Sequence, residues 1–317
     1  MKKIIPTAGF LTLSVMVLWL FSFTVYEAWV LHSLGGIFVI IVLFGLILQI
    51  QKEYQKLATL PTQEHITRKA FANFIVVFLG AIAAYTLSIS LELGAVVAAS
   101  LVGLLAGLVL PAYGVPIYCG AFVGMTSVEL FATHGELAVA GAVAGFVYVL
   151  TTAVFGGFGG KLGTIAFTGS VITGLGLERE FLIAPTPGWH TAWLIVAYAV
   201  IAATATYAIS ITLKHGPVIA SSVVGLIGGL VLPALHPEMG STAAVMVICA
   251  SFAGMSSKQH FPHILQMTAA GLITGMIFIY STPLMGGAGG KLGTIAFGSV
   301  MAVRGYLNHF DHQRPHT

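Results

Sequence analysis

Long apolar runs, broken by short polar or glycine-rich stretches, fill this chain from end to end. Ala8 to Leu31 and Trp193 to Leu213 have the roughly 20-residue length that crosses a bilayer. The pattern predicts an all-α, polytopic membrane protein. Two helices, at about 8–31 and 33–50, form a leader. After the polar stretch QKEYQKLATLPTQEHITRK (Gln51 to Lys69), five segments follow at about 71–91, 94–112, 117–132, 136–156 and 163–177. Five more follow at about 193–213, 216–235, 241–257, 264–285 and 292–304. That makes about 12 membrane segments, the last of each set of five being short or re-entrant.

The two sets of five are copies of one sequence. GGFGGKLGTIAF (Gly156 to Phe167) returns as GGAGGKLGTIAF (Gly286 to Phe297), with Phe158 exchanged for Ala288. At the same offset of 130 residues, GAFVGMTS (Gly120 to Ser127) matches ASFAGMSS (Ala250 to Ser257). Further upstream, SLVGLLAGLVLPA (Ser100 to Ala112) matches SVVGLIGGLVLPA (Ser222 to Ala234) at an offset of 122. Such self-similarity marks a duplicated unit. The organisation it implies is a leader at 1–50, a cytoplasmic loop at 51–70, a first repeat at 71–177, an extracytoplasmic linker at 178–192, a second repeat at 193–305 and a cytoplasmic tail at 306–317.

An odd number of spans per repeat turns the second copy upside down, and basic residues favour the cytoplasmic side. Lys2 and Lys3 place the N-terminus inside, and Lys52, Lys56, Arg68 and Lys69 place the 51–69 loop inside. Matched positions then differ in the sense expected for opposite orientations. Glu92 outside corresponds to Lys214 inside, and Val128 and Glu129 outside correspond to Lys258 and Gln259 inside. Glu178 and Glu180 lie outside, Arg304 and Arg314 inside; Arg179, between two glutamates, is the exception. Lys161 and Lys291 do not follow sidedness. The lysine persists in both copies, which points to a role other than orientation.

Composition fixes the solvent. The chain is 57% hydrophobic and 7% charged, with a mean hydropathy of +0.98, against about 25% charged residues in a soluble domain. No basic patch suited to nucleic acid is present. The N-terminal run is too long for a secretory signal and lacks a small-x-small cleavage site, so it is read as an uncleaved helix. Without an N-x-S/T sequon, a bacterial inner membrane is the expected location, with both termini cytoplasmic. Cys119 and Cys249 are repeat equivalents, so duplication explains the pair without a disulfide or metal site.

The repeated motif carries the candidate chemistry. Four glycines before each lysine permit a backbone turn closed to other residues. The helix opening at such a turn presents free N–H groups and the positive end of its dipole. Lys161 or Lys291 adds a full charge, Gly160 or Gly290 a close backbone approach, and Thr164 or Thr294 a hydroxyl. Together these suit an anion or the negative end of a polar solute. The plainer alternative is that the glycines allow close helix packing and the lysines snorkel or cap helix carbonyls. A nucleotide-binding loop is excluded, because Leu162 follows the lysine where a hydroxyl is required. The hydroxyl pairs Thr126–Ser127 and Ser256–Ser257 could line a polar pathway or bond back to their own helix. LVLPA (Leu108 to Ala112, Leu230 to Ala234) reads as a helix end.

KQHFPH contains His260 and His263, a pattern that could bind metal or sense pH. The aligned Leu130 and Thr133 give it no counterpart, so no metal and no cofactor is expected. No catalytic constellation is apparent, and Glu129 with His134, absent from the second copy, is the nearest to an acid/base pair.

The general plan resembles inverted-repeat transporters and urea-type channels, in architecture rather than in motif. The leading expectation is a transport protein, not an enzyme, moving a small polar solute, with an anion favoured by the lysines, through a site between the repeats. A passive channel for a small ion or neutral solute is the near alternative. A membrane-embedded enzyme or assembly protein is the alternative from another class. The bilayer and a small solute are the expected partners, nucleic acid is not, and a homo-oligomer is open.

Overall fold

The computed structural model describes residues 4–60 and 67–313. Lys2, Lys3 and Arg314, used above to orient the chain, and the centre of the polar loop lie outside the described residues. Everything described is helical or irregular, apart from one antiparallel bridge between Leu182 and Gly286. The leader is α1 (Ile4–Leu31) and α2 (Ser33–Leu57). There follow α3 (Arg68–Ile89), α4 (Ala95–Val109), α5 (Gly114–Val123), α6 (His134–Thr151) and α7 (Lys161–Gly176). The remainder is α8 (Trp189–Tyr207), which passes into a π-helical turn at Ala208–Thr212, then α9 (Pro217–Leu235), α10 (Gly240–Gly254), α11 (Ile264–Ser281) and α12 (Lys291–Gln313).

Among the described residues, seven helices are long and apolar enough to cross a bilayer: α1, α2, α3, α6, α8 with its π turn, α9 and α11. They keep large apolar side chains on their outer faces, among them Leu11, Ile40, Phe71, Phe146, Trp193 and Leu265. A water-soluble monomer rarely exposes so much contiguous apolar surface. The chain is a multi-pass helical membrane protein.

Helix contacts run in parallel through the two copies. α3 packs on α5 and α6, and α8 packs on α10 and α11. α7 packs on α5 and α6, as α12 does on α10 and α11. The copies meet along α4 with α9 and along α7 with α12. Matched side chains close matched loops. The Tyr85 hydroxyl donates to the Phe131 carbonyl, and the Tyr207 hydroxyl to the Phe261 carbonyl.

Three boundaries differ from the sequence expectation. α2 runs on to Leu57 because Glu53 accepts from Gln49 Nε2 (2.9 Å) and Lys56 Nζ (2.5 Å), one turn either side, so the polar stretch begins as helix. α5 stops at Val123, because the next residues are drawn into contacts with the other copy described below. α12 is not short. It continues to Gln313 along α2, where Gly305 meets the Gly45 backbone, Tyr306 donates to Ile41 O (2.6 Å) and Asn308 to Gln49 Oε1 (2.8 Å). The LVLPA stretches also part company. The first ends α4 at Val109, while α9 carries Pro233 in its last turn and ends at Leu235.

Arg179 pairs with Glu136, whose backbone N–H is capped by Thr133 Oγ1 (3.2 Å). Arg179, the exception among the matched loop charges, is thus paired with a carboxylate. Cys119 and Cys249 are free and buried. Each thiol donates to the carbonyl of the residue after the repeated lysine, Leu162 at 3.3 Å and Leu292 at 3.2 Å.

Candidate functional site: two glycine–lysine turns and their cavities

Each glycine-rich stretch folds as a tight turn between two helices, from α6 into α7 and from α11 into α12. Backbone φ is positive at Phe155, Gly157 and Gly160 in the first turn and at Met285, Gly287 and Gly290 in the second. Left-handed backbone strains most residues and favours glycine. Gly160 (φ 80°) and Gly290 (φ 85°) need glycine for a further reason. A Cβ on Gly160 would strike Gly293 O, and one on Gly290 would strike Gly163 O. The contact made by one turn is returned by its counterpart.

The turns are held by the opposite copy. Gly159 N–H donates to Ser256 Oγ (3.0 Å), and Gly289 N–H donates to Thr126 Oγ1 (3.1 Å). Ser257 N–H donates to Gly157 O and Ser127 N–H to Gly287 O, both at 2.9 Å. The hydroxyl pairs singled out in the sequence are therefore brought to the glycine turns, each across the boundary between copies. Thr126 and Ser256 serve as acceptors for turn amides. The Ser127 and Ser257 hydroxyls are buried without a hydrogen-bond partner, against Gly287 and Gly157.

The lysines sit where helix ends converge. Lys161 Nζ donates to Thr151 O (2.7 Å) and Val154 O (2.6 Å), at the C-terminal end of α6. Lys291 Nζ donates to Thr282 O (3.1 Å), at the C-terminal end of α11. An ammonium here offsets the negative end of one helix. It also stands at the first residue of the next, where the dipole is positive. The Thr164 and Thr294 hydroxyls turn back toward Gly160 O (3.4 Å) and Gly290 O (3.5 Å) and line neither of the cavities beside the turns.

A cavity opens beside each turn. The first, about 280 Å³, is lined by Gly156 to Leu162 together with Val115, Phe122, Tyr148, Thr152, Phe252 and Met255. The second, about 270 Å³, is lined by Gly286 to Leu292 together with Met125, Val245, Phe252, Phe278 and Thr282. The linings correspond: Val115 with Val245, Tyr148 with Phe278, Thr152 with Thr282, Met255 with Met125. The lysine is the one charged side chain lining each.

The outer parts of the two turns contact opposite ends of α1, while their inner ends, Gly160 and Gly290, meet the other copy at Gly293 and Gly163. Phe10, near the start of α1, stacks on Phe155 of the first turn (centroids 5.0 Å, planes 11° apart). Trp19, Leu20, Phe23 and Glu27, toward its end, share a surface depression with Pro283, Leu284 and Met285 of the second. From Phe10 to Glu27 a helix advances about 25 Å.

Sequence reasoning missed the aromatic and thioether wall: Phe122, Phe252, Tyr148, Phe278, Met125 and Met255. A signal was present, since Phe122/Phe252 and Met125/Met255 are identical across the copies, inside the segment already aligned. No protein family, curated protein or solved structure matches this chain.

Proposed function

We propose that this chain is a transport protein of two inverted five-helix repeats behind a two-helix leader, moving a small polar or anionic solute through the membrane. The observation that carries the reading is the pair of matched cavities, one beside each glycine turn, with Phe252 lining both. Each is walled by a glycine turn and carries a single charged side chain, Lys161 or Lys291. Reciprocal contacts between the copies support a local two-fold axis in the membrane plane, the arrangement expected of inverted repeats. The charge differences between matched loops support cytoplasmic termini, and the lack of an N-x-S/T sequon supports a bacterial inner membrane.

In this reading Lys161 and Lys291, the Gly160 and Gly290 amide regions and the first turns of α7 and α12 supply positive potential to the solute. Thr126 and Ser256 fix the turns. Ser127 and Ser257 carry hydrogen-bonding capacity that the fold leaves unused, and Thr164 and Thr294 brace the helix starts. The chain performs no chemistry of its own.

The passive-channel alternative is favoured by one observation. Phe252 borders both cavities, so the two spaces coexist in one conformation, whereas alternating access opens them in turn. The test is solute flux in proteoliposomes with formate, chloride and urea as probes, for wild type and the Lys161→Met/Lys291→Met double variant. Loss of formate or chloride flux in a folded double variant supports the site, and unaltered flux rejects a direct role. Trans-stimulation marks a carrier and its absence a channel.

A further inference from the structure

Two phenylalanines from equivalent positions of the two copies meet beside the cavities. Phe122 on α5 and Phe252 on α10 are repeat equivalents. Their ring centroids lie 4.3 Å apart with planes tilted by 45°, and both rings are almost fully buried. Phe252 lines both cavities and Phe122 lines the first. The backbone beneath them is tied to the glycine turns. A Cβ on Gly159 would collide with Phe252 O, and one on Gly289 would come within 2.6 Å of Phe122 O. Each lysine-bearing turn therefore rests on the phenylalanine of the opposite copy.

The two rings are not equivalently supported. Phe122 packs against Tyr118 with centroids 4.3 Å apart and planes 59° apart. The Tyr118 hydroxyl lies 3.0 Å from Ser221 Oγ, which lies 2.8 Å from Ser251 Oγ, so the brace is anchored through hydroxyls on α9 and α10. In the second copy the position of Tyr118 is Ile248, and those of Ser221 and Ser251 in the first are Ala99 and Ala121. The single hydrogen-bonded brace thus lies close against Phe122 and meets Phe252 only edge-on, with centroids 6.3 Å apart. A ring met edge-on at 6.3 Å turns about its χ angles more readily than one packed at 4.3 Å against a hydrogen-bonded neighbour. The chemistry at the constriction also has a sign. Aromatic rings are negative on the face and positive at the edge, so a solute passing between ring edges meets positive potential, continuous with that of the lysines on either side.

The geometry points to Phe122 and Phe252 as the barrier between the two cavities and the specificity-determining element for a compact monovalent anion. Phe252 is the ring that moves and Phe122 the fixed ring. This rests on the transport reading above.

The test has two arms. In proteoliposomes, formate and chloride serve as compact probes and gluconate as a bulky one. Phe252→Ala raises formate flux at least tenfold over wild type and admits gluconate. Phe122→Ala has a smaller effect, and Tyr118→Ile raises formate flux several-fold by freeing the fixed ring. Wild-type formate flux that Phe252→Ala leaves unchanged overturns the barrier. The second arm needs no solute. Phe252→Cys reacts with a membrane-impermeant thiol reagent from both faces of the membrane. Wild type, with Cys119 and Cys249 buried, sets the background. Labelling from neither face overturns the placement. Two-sided labelling with no flux of formate, chloride or urea in any variant overturns the transport reading, and the anion barrier with it, while the ring positions stand.

Discussion

Gly163 and Gly293 face one another with nothing between their backbones: a methyl group on either would strike the α-carbon of the other. They are the third residues of α7 and α12, and they are repeat equivalents, so each meets its own counterpart. Only a point on a two-fold axis has that property. Gly163→Ala and Gly293→Ala each force the same two helices apart. Overpacking of this kind costs about 1–3 kcal/mol. The two variants are expected to lower the thermal unfolding midpoint in detergent by similar amounts, and the double variant by less than the sum, because one contact is lost once.

The lysines are matched in sequence and unequal in their bonding. Lys161 holds two carbonyls and Lys291 one. An unpaired buried carbonyl costs about 1–3 kcal/mol. Lys161→Met is therefore expected to destabilise more than Lys291→Met, by roughly one such bond. Thermal melts of the two single variants check the order. Equal melting points would mean that capping is not what distinguishes the two sites.

Thr126→Val keeps the side-chain shape and removes the acceptor of the Gly289 N–H. The amide is then left buried and unpaired, at a cost of about 1–3 kcal/mol. Amide hydrogen exchange followed by mass spectrometry is expected to speed up in peptides covering 286–290 and to stay unchanged in 156–160. Ser256→Ala is expected to show the reverse.

His260 lies over the first turn, with its ring stacked on Phe158 (3.9 Å between centroids) and Nε2 3.0 Å from Gly156 O. Burial holds its pKa below the ordinary histidine value, outweighing the Gly156 carbonyl and Glu53, which act in the opposite sense; Lys56 and Arg304 add to the depression. The undocked loop thus takes up protons more readily than the docked one. Docking is at full strength above the ordinary value of about 6.5 and weakens as pH falls from there toward the depressed value. Exchange protection of residues 156–160 is expected to drop between neutral pH and mildly acid pH in wild type. In His260→Leu that pH dependence should vanish.

Helices were legible in the sequence because a bilayer demands long apolar runs, and the copies were legible because residues such as Gly160, Lys161 and Gly163 are nearly unchanged in the second. The ends of α2 and α12 were not. A polar stretch such as Gln49 to Lys56 looks like a loop until its residues pair along one helix face, and Gly305 gives no hint that Gly45 lies against it. The aligned motifs gave the positions of Thr126 and Ser256 but not their partners. A hydroxyl that bonds an amide 163 or 97 residues away in the chain leaves no local pattern. Phe122 and Phe252 looked like two apolar residues among many, because a ring between cavities and a ring in a core have the same spacing along a helix.

The crossed bonds between copies set an order of events during synthesis. Gly159 finds its hydroxyl partner on Ser256, 97 residues later in the chain. At about 5–20 residues per second, a ribosome needs about 5–20 s to cover that distance. The first lysine turn must therefore wait in the membrane unfinished, its amides without their final acceptors, until the second half arrives. Neither half made alone can complete its own turn, so a chain cut within the 178–188 linker should recover its turns only when both pieces are made together.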